Sequence, residues 1–281
     1  MRPPGGATRV AAVIGSPIDH SLSPVLHNAA FAAAGLDWVF VALEVAAGAG
    51  HAAIDAMRVL GIEGLSVTMP HKSDVVVALD RVSPAAAALD SVNCIVRDGD
   101  ELVGYSTDGA GFVDSLHAEG REVAGRSFGV IGAGGAARSL VDSLARGGAR
   151  EIVVVNRTPD RADRAVALAP GIARRADARA LGDVEVVVNA TSVGMSGGGA
   201  EAELPLDPGR LSSGQLAVDL VYEPLDTPFL LAARERGLDV LGGLGMLIHQ
   251  AGHAFRLWTG TDAPLDAMAA AGAAELARRA G

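Results

Sequence analysis

A single lysine stands out among the basic residues of this sequence. Of its 23 basic side chains, Lys72 is the one lysine and the other 22 are arginines. Arginine stays protonated at any ordinary pH, whereas a lysine can give up and regain a proton. A lysine kept in so arginine-rich a chain therefore indicates proton-transfer chemistry, the alternative being a surface lysine retained by chance.

Polar side chains follow several predicted strands in the first part of the chain, Lys72 among them. Ligands of open α/β sheets bind beyond the carboxyl ends of strands, so these positions are candidates for a binding site. Hydroxyls, an amide, one ammonium and one carboxylate suit a small polyhydroxylated carboxylic acid, because a site that hydrogen-bonds hydroxyls rejects analogues without them. The candidates besides Lys72 are Ser21, Ser23, Thr68, Asn93, Thr107 and Asp108.

A glycine-rich segment in the second half is typical of dinucleotide binding. Gly132, Ala133, Gly134, Gly135 and Ala136 follow a predicted strand and open a predicted helix. Glycines let the backbone approach a pyrophosphate, and the helix N-terminus offers it free N–H groups and a positive dipole end. The alternative is a tight strand–helix turn that binds no ligand.

The end of the next strand indicates which dinucleotide binds. An NAD enzyme places Asp or Glu there to accept from the ribose hydroxyl. This chain has Asn156, Arg157 and Thr158 instead, with Arg161 one turn further on. Two guanidinium groups and no carboxylate favour the 2′-phosphate of NADP, although an arginine there can also be merely solvent-exposed.

These motifs lie on alternating short apolar runs and helix-like stretches, which predicts an α/β fold. Ser23 and Pro24 have the pattern of an N-cap and first-turn proline of the first helix. The second α/β unit begins near Arg126, and the last two predicted helices cover residues 244–257 and 265–279. Strands are predicted over residues 9–14, 38–45, 62–68, 91–96, 101–105, 127–131, 151–155, 184–189, 216–220 and 238–241.

Length and composition limit the functional classes. A chain of 281 residues predicts two domains, and its formal charge of −10 argues against a nucleic-acid partner. No apolar run approaches the ~20 residues of a membrane span, and the first residues lack an apolar signal core. The single cysteine, Cys94, excludes an internal disulfide, and no metal-site spacing with carboxylates or Cys94 is found for His20, His27, His71 and His249. We therefore expect a cytoplasmic protein without a metal or membrane partner.

A series of motifs, in order along nearly the whole chain, resembles the shikimate dehydrogenase family. The motifs are GSPIDHSLSP (15–24) with HN (27–28), GLSVTMPHK (64–72), SVN (91–93), STDGAG (106–111), NRT (156–158), NATSVGM (189–195), DLVYEP (219–224) and GGLGMLIHQA (242–251). Ser66 and Ser106 depart from the family's usual asparagines. Serine has a shorter reach, so these two changes bear on substrate positioning rather than on the type of reaction.

The resemblance implies a fold and an activity. A substrate domain would span residues 1–110, joined by a C-terminal helix over residues 258–281 that packs back on it. A Rossmann NADP-binding domain would span residues 111–257. The implied activity is the reversible NADPH-dependent reduction of 3-dehydroshikimate to shikimate, in chorismate and aromatic amino-acid biosynthesis.

The resemblance also implies roles for single residues. Lys72 and Asp108 would form the catalytic pair, with the formal proton donor left open because close pairs titrate together. Ser21 and Ser23 would bind the substrate carboxylate. The ring hydroxyls would be bound by Thr68, Asn93, Asp108 and Gln250, with Tyr222 as a further candidate that could equally pack in the core.

Cofactor contacts are implied beyond the glycine-rich turn and residues 156–161. They are Thr191, Met195, Gly243 and Met246, the two methionines being alternatively gap fillers. Two other interpretations stay open: a quinate or dual quinate/shikimate dehydrogenase, and an inactive NADP-binding regulator. The serine and Gln250 motifs exclude a folate-type dehydrogenase. Oligomeric state, monomer or homodimer, also stays open.

Overall fold

The computed structural model describes residues 3–197 and 199–280, which fall into two units. The first unit comprises the chain up to Thr107 and the chain from Ile248 onwards, and the second comprises Asp108–Leu247. The boundaries thus follow residues 107 and 247, whereas the prediction placed them after residues 110 and 257. The second boundary differs because α8 (Leu244–Thr259) is one continuous helix whose later part packs in the first unit. The ring centroid of Phe255 in α8 lies 5.5 Å from that of Phe31.

The first unit contains a mixed sheet of six strands in the order β2-β1-β3-β5-β6-β4. β1, β2 and β3 are parallel, β5 is antiparallel to both β3 and β6, and β4 is parallel to β6. As a result, β1, β3 and β6 end at the edge of the sheet where β5 begins. The strands are β1 (Arg9–Gly15), β2 (Trp38–Glu44), β3 (Gly64–Val67), β4 (Arg81–Val82), β5 (Cys94–Asp98) and β6 (Glu101–Tyr105).

Helices cover the first sheet. They are α1 (Ser23–Ala33), α2 (Gly50–Leu60), α3 (Pro84–Leu89), the later part of α8, and α9 (Leu265–Ala280), which packs on α1. Trp258 of α8 lies over the sheet, its Nε1 donating to the Ile95 carbonyl at 3.0 Å. Gly64 makes room for it, since a Cβ there would lie 2.6 Å from the indole ring. None of the described helices is long and apolar enough to cross a membrane.

The second unit contains a parallel sheet of six strands in the order β12-β11-β10-β7-β8-β9. The chain starts at the central β7, adds β8 and β9 on one side and then β10, β11 and β12 on the other. This is the Rossmann strand order, whose ligand crevice lies at the switch between the two directions. The strands are β7 (Ser127–Ile131), β8 (Glu151–Val155), β9 (Ala173–Arg175), β10 (Val186–Asn189), β11 (Leu216–Asp219) and β12 (Asp239–Leu241).

Apolar helix faces cover this parallel sheet, as an all-parallel arrangement requires. The helices are α4 (Asp108–Ala118), α5 (Gly135–Arg146), α6 (Pro159–Val166), α7 (Pro228–Glu235) and the start of α8. One core cluster joins Phe112 of α4 and Leu140 of α5 to Phe128 and Ile152 of the strands, all of them fully buried.

The α/β fold class is confirmed, and three local expectations need correction. Ser23 is not the N-cap of α1: Leu22 occupies that position, and α1 has no side-chain capping bond. Asn93 precedes β5 rather than lying within it, because β5 begins at Cys94. The short elements β4, α3 and β9 were not predicted, since runs of 2 to 6 residues carry too little periodicity.

Candidate active site

Several segments of the first unit meet at one edge of its sheet. Because β5 is antiparallel to its neighbours, its first residue, Cys94, pairs with Ser66 near the end of β3 and with Tyr105 at the end of β6. β1 ends beside β3, with Ile14 paired to Val67. The residues that follow β1, β3 and β6, and those that precede β5, therefore lie at one edge.

Asn93 is the centre of a hydrogen-bonded cluster at this edge. Its Nδ2 donates to Thr107 Oγ1 at 2.9 Å, and its Oδ1 accepts from the Thr107 backbone N–H at 2.7 Å. The same Nδ2 lies 3.4 Å from Gln250 Oε1, a longer contact. Asn93 and Thr107 are buried. The structure thus brings together two predicted substrate-binding residues, Asn93 and Gln250, from distant parts of the chain.

Lys72 lies in the turns that follow β3 and is half-buried. Its backbone carbonyl accepts from the Val92 N–H at 2.8 Å, which places it beside the residue preceding Asn93. The neighbouring His71 is fully buried, and its Nε2 lies 2.8 Å from the Val45 carbonyl. Since a carbonyl only accepts, Nε2 carries the proton of this bond. Backbone and side-chain bonds thus hold the lysine segment on two sides.

Thr68 follows β3 directly and lies against the end of β1. Its N–H donates to the Ile14 carbonyl at 2.9 Å, and the Ser16 N–H donates to the Met69 carbonyl at 3.0 Å. Gly15 permits this approach, because a Cβ there would lie 2.4 Å from Thr68 Cγ2. Position 15 therefore requires glycine because Thr68 packs against it.

The two predicted carboxylate-binding serines flank the start of α1. Ser21 Oγ accepts from the Ser23 backbone N–H at 3.3 Å, and Ser23 is 8% exposed. α1 begins at Ser23, so the positive end of its dipole lies beside these hydroxyls. This local environment favours an anion.

Asp108 is the first residue of α4 and is buried. The next residue, Gly109, donates its N–H to Ser139 Oγ of α5 at 2.8 Å, and a Cβ on it would lie 2.3 Å from the Ser139 carbonyl. Thr107, which precedes Asp108 in the chain, is held by its hydrogen bond to Asn93. Asp108 therefore lies between two residues whose positions are fixed by close contacts.

Gly132 and Gly134 of the dinucleotide motif have different reasons to be glycine. Gly132 has φ +115°, and a Cβ there would lie 2.9 Å from the Ala190 carbonyl, so the fold itself requires it. Gly134 has an ordinary φ of −76°, and a Cβ there would meet nothing within 4 Å. Neither conformation nor packing demands glycine at 134, which leaves the close approach of a ligand as its physical reason.

The glycine-rich turn continues into helix α5. Gly134 is the N-cap residue of α5 and Gly135 its first residue, with Ala136 half-buried and Ala133 buried. The turn also lies beside the end of β8, because the Gly132 N–H donates to the Val155 carbonyl at 2.8 Å. An acceptor of N–H groups, such as a pyrophosphate, suits this helix end.

The segment after β8 presents the predicted phosphate-binding arginines. Asn156 Nδ2 donates to the Thr158 carbonyl at 2.9 Å, and Thr158 precedes α6 without a side-chain capping bond. The side chains of Arg157 and Arg161 are exposed, and neither forms an ion pair with a carboxylate within residues 3–197 and 199–280. Two unneutralised guanidinium groups at this point fit a phosphate monoester.

A buried network joins the loops after β10 and β11. Asp219 accepts from Asn189 Nδ2 at 2.9 Å, from Thr227 Oγ1 at 2.8 Å and from the Val221 N–H at 3.0 Å. Burial raises the pKa of Asp219 to about 6, against the opposing effect of these hydrogen bonds. Asn189 Oδ1 in turn accepts from the Thr191 hydroxyl at 2.7 Å. The predicted cofactor residue Thr191 is thus held indirectly by Asp219.

The remaining predicted residues lie in or near the same loops. Met195 and Tyr222 are half-buried in the loops after β10 and β11. Gly243 approaches the backbone, since a Cβ there would lie 2.1 Å from the Leu220 carbonyl. Met246 is 9% exposed and belongs to the core of the second unit. Packing explains both Gly243 and Met246, and their contact with a cofactor stays a prediction.

The sequence places Thr107 among the polar residues that follow strands but predicts no specific role for it, and it does not predict Asn189 and Asp219 as a pair. Asn189 and Asp219 each end a predicted strand, but only the pairing of β10 with β11 places them side by side. Thr107 was quoted as part of a motif, and its bonds to Asn93 became visible only when β5 and β6 were paired. The missing information in both cases was strand adjacency.

The histidines show no site of their own. His27 is buried and stacked on Phe40 with ring centroids 4.4 Å apart, and burial lowers its pKa to about 3. It is therefore neutral at physiological pH. Among the described residues no group of three His, Cys, Asp or Glu side chains could hold a metal ion.

Family models match three stretches of the chain. Residues 13–95 match the shikimate dehydrogenase substrate binding domain. Residues 116–204 match a model described as shikimate / quinate 5-dehydrogenase, and residues 243–271 match the shikimate 5′-dehydrogenase C-terminal domain. The matched stretches run from within β1 to the start of β5, from the end of α4 to the loop after β10, and from the start of α8 into α9.

Individual relatives cover almost the whole chain. The shikimate dehydrogenase (NADP(+)) of Moorella thermoacetica is 44% identical over 272 residues, which cover 93% of this chain and 92% of the relative. A shikimate 5-dehydrogenase structure from Thermus thermophilus, in complex with NADP(H) and shikimate, has a TM-score of 0.87 at 35% identity, covering 95% of this chain and 99% of that one. Quinate dehydrogenase from Corynebacterium glutamicum in complex with NAD has a TM-score of 0.84 at 30% identity, covering 95% and 99%. This chain belongs to the shikimate dehydrogenase family.

Proposed function

We propose that this protein catalyses the reversible NADPH-dependent reduction of 3-dehydroshikimate to shikimate, a step of aromatic amino-acid biosynthesis. The observation that carries the proposal is the polar edge of the first sheet, where Asn93 bonds Thr107 and contacts Gln250 close to the segment of the only lysine. Amides and hydroxyls held in this way suit a ring that bears several hydroxyls. The family membership supplies the identity of that ring.

The cofactor is proposed to be NADP. Gly134 leaves the backbone open at the N-terminus of α5, where the pyrophosphate would lie. Arg157 and Arg161 would bind the 2′-phosphate, and no Asp or Glu occupies residues 156–158 to accept from a ribose hydroxyl. Thr191 and Met195 would border the cofactor from the loop after β10. Bound NADPH would supply the hydride.

Lys72 and Asp108 are proposed as the catalytic pair. Reduction of a ring carbonyl develops negative charge on its oxygen, and the Lys72 ammonium would stabilise this charge and deliver a proton. Asp108 would orient Lys72 and bind a neighbouring hydroxyl. Ser21 and Ser23 would bind the carboxylate, Thr68, Asn93 and Gln250 the hydroxyls, and Tyr222 would add a further contact.

A steady-state assay of one purified sample tests the proposal. Reduction of NADP or NAD is followed at 340 nm with shikimate or quinate, which gives four combinations. We expect the highest kcat/KM for shikimate with NADP. A higher kcat/KM for quinate, or no turnover in any combination, would contradict the proposed function.

A quinate or dual-specificity dehydrogenase is the second candidate. The 30% identity to a quinate dehydrogenase in complex with NAD favours it. The exposed Arg157 and the missing carboxylate after β8 count against NAD as the preferred cofactor. The same assay separates the two candidates, because a dual enzyme would turn over both acids with similar kcat/KM. We expect the enzyme to act in the cytoplasm, where biosynthetic NADPH is used, as a monomer or homodimer.

A further inference from the structure

The last turn of α9 is bonded to the loop that carries the serines of the first unit. Arg279 Nη1 donates to the His20 carbonyl at 2.7 Å, and His20 directly precedes Ser21. Arg279 lies near the C-terminal end of α9, 259 positions away from His20 in the sequence. A charge-assisted bond from a guanidinium is among the stronger hydrogen bonds available to a carbonyl.

Glu275 orients this arginine. Its Oε1 accepts from Arg279 Nε at 2.9 Å, one helical turn earlier on α9. Arg278 and Arg279, in that order, hold the pKa of Glu275 down to about 2, so the carboxylate stays ionised. The side chains of Glu275 and Arg279 are 16% and 20% exposed. The pair is therefore largely shielded from water and held in one geometry.

Arg278 provides a natural comparison on the same helix. It also binds Glu275, with Nη2 to Oε1 at 2.7 Å, but its side chain is 71% exposed. Arg278 and Arg279 thus share charge, helix and carboxylate partner. They differ in that only Arg279 has a described hydrogen bond to the serine loop.

We propose that Arg279 is a positioning residue that holds the Ser21 loop in the conformation that binds the substrate carboxylate. The inference rests on the proposed function, which assigns Ser21 and Ser23 to that carboxylate. The loop runs from the end of β1 to α1, and Ile18 and Leu22 anchor it in the core. Between these anchors, the bond from Arg279 fixes the peptide unit that sets the direction of Ser21.

Steady-state kinetics of Arg279→Ala and Arg278→Ala test the proposal. For Arg279→Ala we expect the KM for shikimate to rise about tenfold, as for the loss of one charge-assisted bond, with kcat and the KM for NADP within about twofold. Arg278→Ala should leave all three constants within about twofold. Arg279→Lys, which can still donate to the carbonyl, should recover part of the loss.

A double-mutant cycle separates positioning from a general loss of stability. If Arg279 acts through Ser21, then Ser21→Ala with Arg279→Ala should have the same KM for shikimate as Ser21→Ala alone. If the rise in KM for shikimate in the double variant equals the product of the rises in the two single variants, the proposal is overturned. Equal kinetic constants for Arg278→Ala and Arg279→Ala would also overturn it. So would an equal rise, in Arg279→Ala, of the KM for shikimate and the KM for NADP.

Hydrogen exchange gives a readout that does not depend on activity. Peptides covering residues 16–24 should exchange faster in Arg279→Ala than in the wild type, and unchanged in Arg278→Ala. Unchanged exchange in both variants would overturn the proposal. An inactive wild-type protein would overturn the proposed function, while the exchange data would still decide whether Arg279 holds the loop.

Discussion

At the scale of single residues, the segment that carries Lys72 is held by two hydrogen bonds, one from its own main chain and one from the neighbouring His71. The Lys72 carbonyl accepts from Val92, and His71 is bonded to the Val45 carbonyl. These bonds hold the main chain on both sides of the proposed catalytic lysine. A charged group that is positioned before substrate binds needs little reorganisation during the reaction.

Removal of the lysine ammonium should affect turnover more than binding. For Lys72→Ala we expect kcat to fall by about 10²- to 10⁴-fold, the range for loss of a positioned proton donor, with the KM for shikimate changed only a few-fold. Steady-state kinetics of the purified variant measure both constants. Lys72→Arg keeps the charge but not the exchangeable proton, so full activity of that variant would refute a proton-transfer role for Lys72.

Arg157 should determine the preference between the two nicotinamide cofactors. For Arg157→Ala we expect the KM for NADP to rise by about tenfold or more and the KM for NAD to change little, because only NADP carries the 2′-phosphate. The control is Arg164→Ala, an exposed arginine further along α6. Equal increases for both cofactors would exclude the phosphate role.

At the scale of elements, the turn between β7 and α5 separates a structural glycine from a ligand-binding glycine. Gly132→Ala should destabilise the protein by roughly 1–3 kcal/mol, because alanine is strained at φ +115° and would approach the Ala190 carbonyl. Gly134→Ala should lower the melting temperature less than Gly132→Ala, since its Cβ meets nothing and only an N-cap preference is lost, and should weaken NADP binding by about tenfold. Thermal unfolding and calorimetric titration with NADP measure the two effects. A destabilised Gly134→Ala variant with unchanged affinity would contradict the assignment.

The burial of Asp219, between the loops after β10 and β11, makes the free energy of unfolding depend on pH. An unfolded aspartate has a pKa of about 3.9, whereas burial raises the folded value to about 6. The folded state therefore retains a proton that the unfolded state has lost. The stability from this group is complete below about pH 4 and is lost as pH rises through about 6, by about 3 kcal/mol in total.

Asp219→Asn should remove this pH dependence. We expect the free energy of unfolding of the wild type, measured in urea, to fall relative to that of the variant between pH 4 and pH 7. Asp160→Asn, an exposed aspartate at the start of α6, should follow the wild type. Parallel curves for Asp219→Asn and the wild type would show that the Asp219 carboxyl is ionised over this whole range.

Most of the fold could be predicted at this scale, and the site only in part. Periodicity located the long strands and helices, and the glycine-rich and arginine-bearing turns predicted where the cofactor would bind. The network of Asn189 with Asp219 and the bond of Arg279 to His20 could not be predicted, because they depend on which strands and helices are neighbours. Serine is common at N-caps, which favours Ser23 from the sequence, whereas Leu22 holds that position in the structure.

At the scale of the whole molecule, two units of different sheet topology divide the work. The mixed sheet of the first unit gathers hydroxyls, amides and Lys72 at one edge, because an antiparallel strand begins where its neighbours end. The parallel sheet of the second unit has the Rossmann order and the glycine turn at its switch point. The chain passes from one to the other between Thr107 and Asp108. The proposed reaction needs both units, since one would bind the acceptor and the other the hydride donor.

Transfer of deuterium from labelled cofactor tests this division of work most directly. In two separate reactions, the protein is mixed with 3-dehydroshikimate and with NADPH that carries deuterium on one or on the other face of C4 of the nicotinamide. The product of each reaction is analysed by mass spectrometry. We predict shikimate with one deuterium on the former carbonyl carbon from one of the two labelled faces, and unlabelled shikimate from the other. Unlabelled product from both cofactors, or no shikimate from either, would contradict direct hydride transfer between the two ligands.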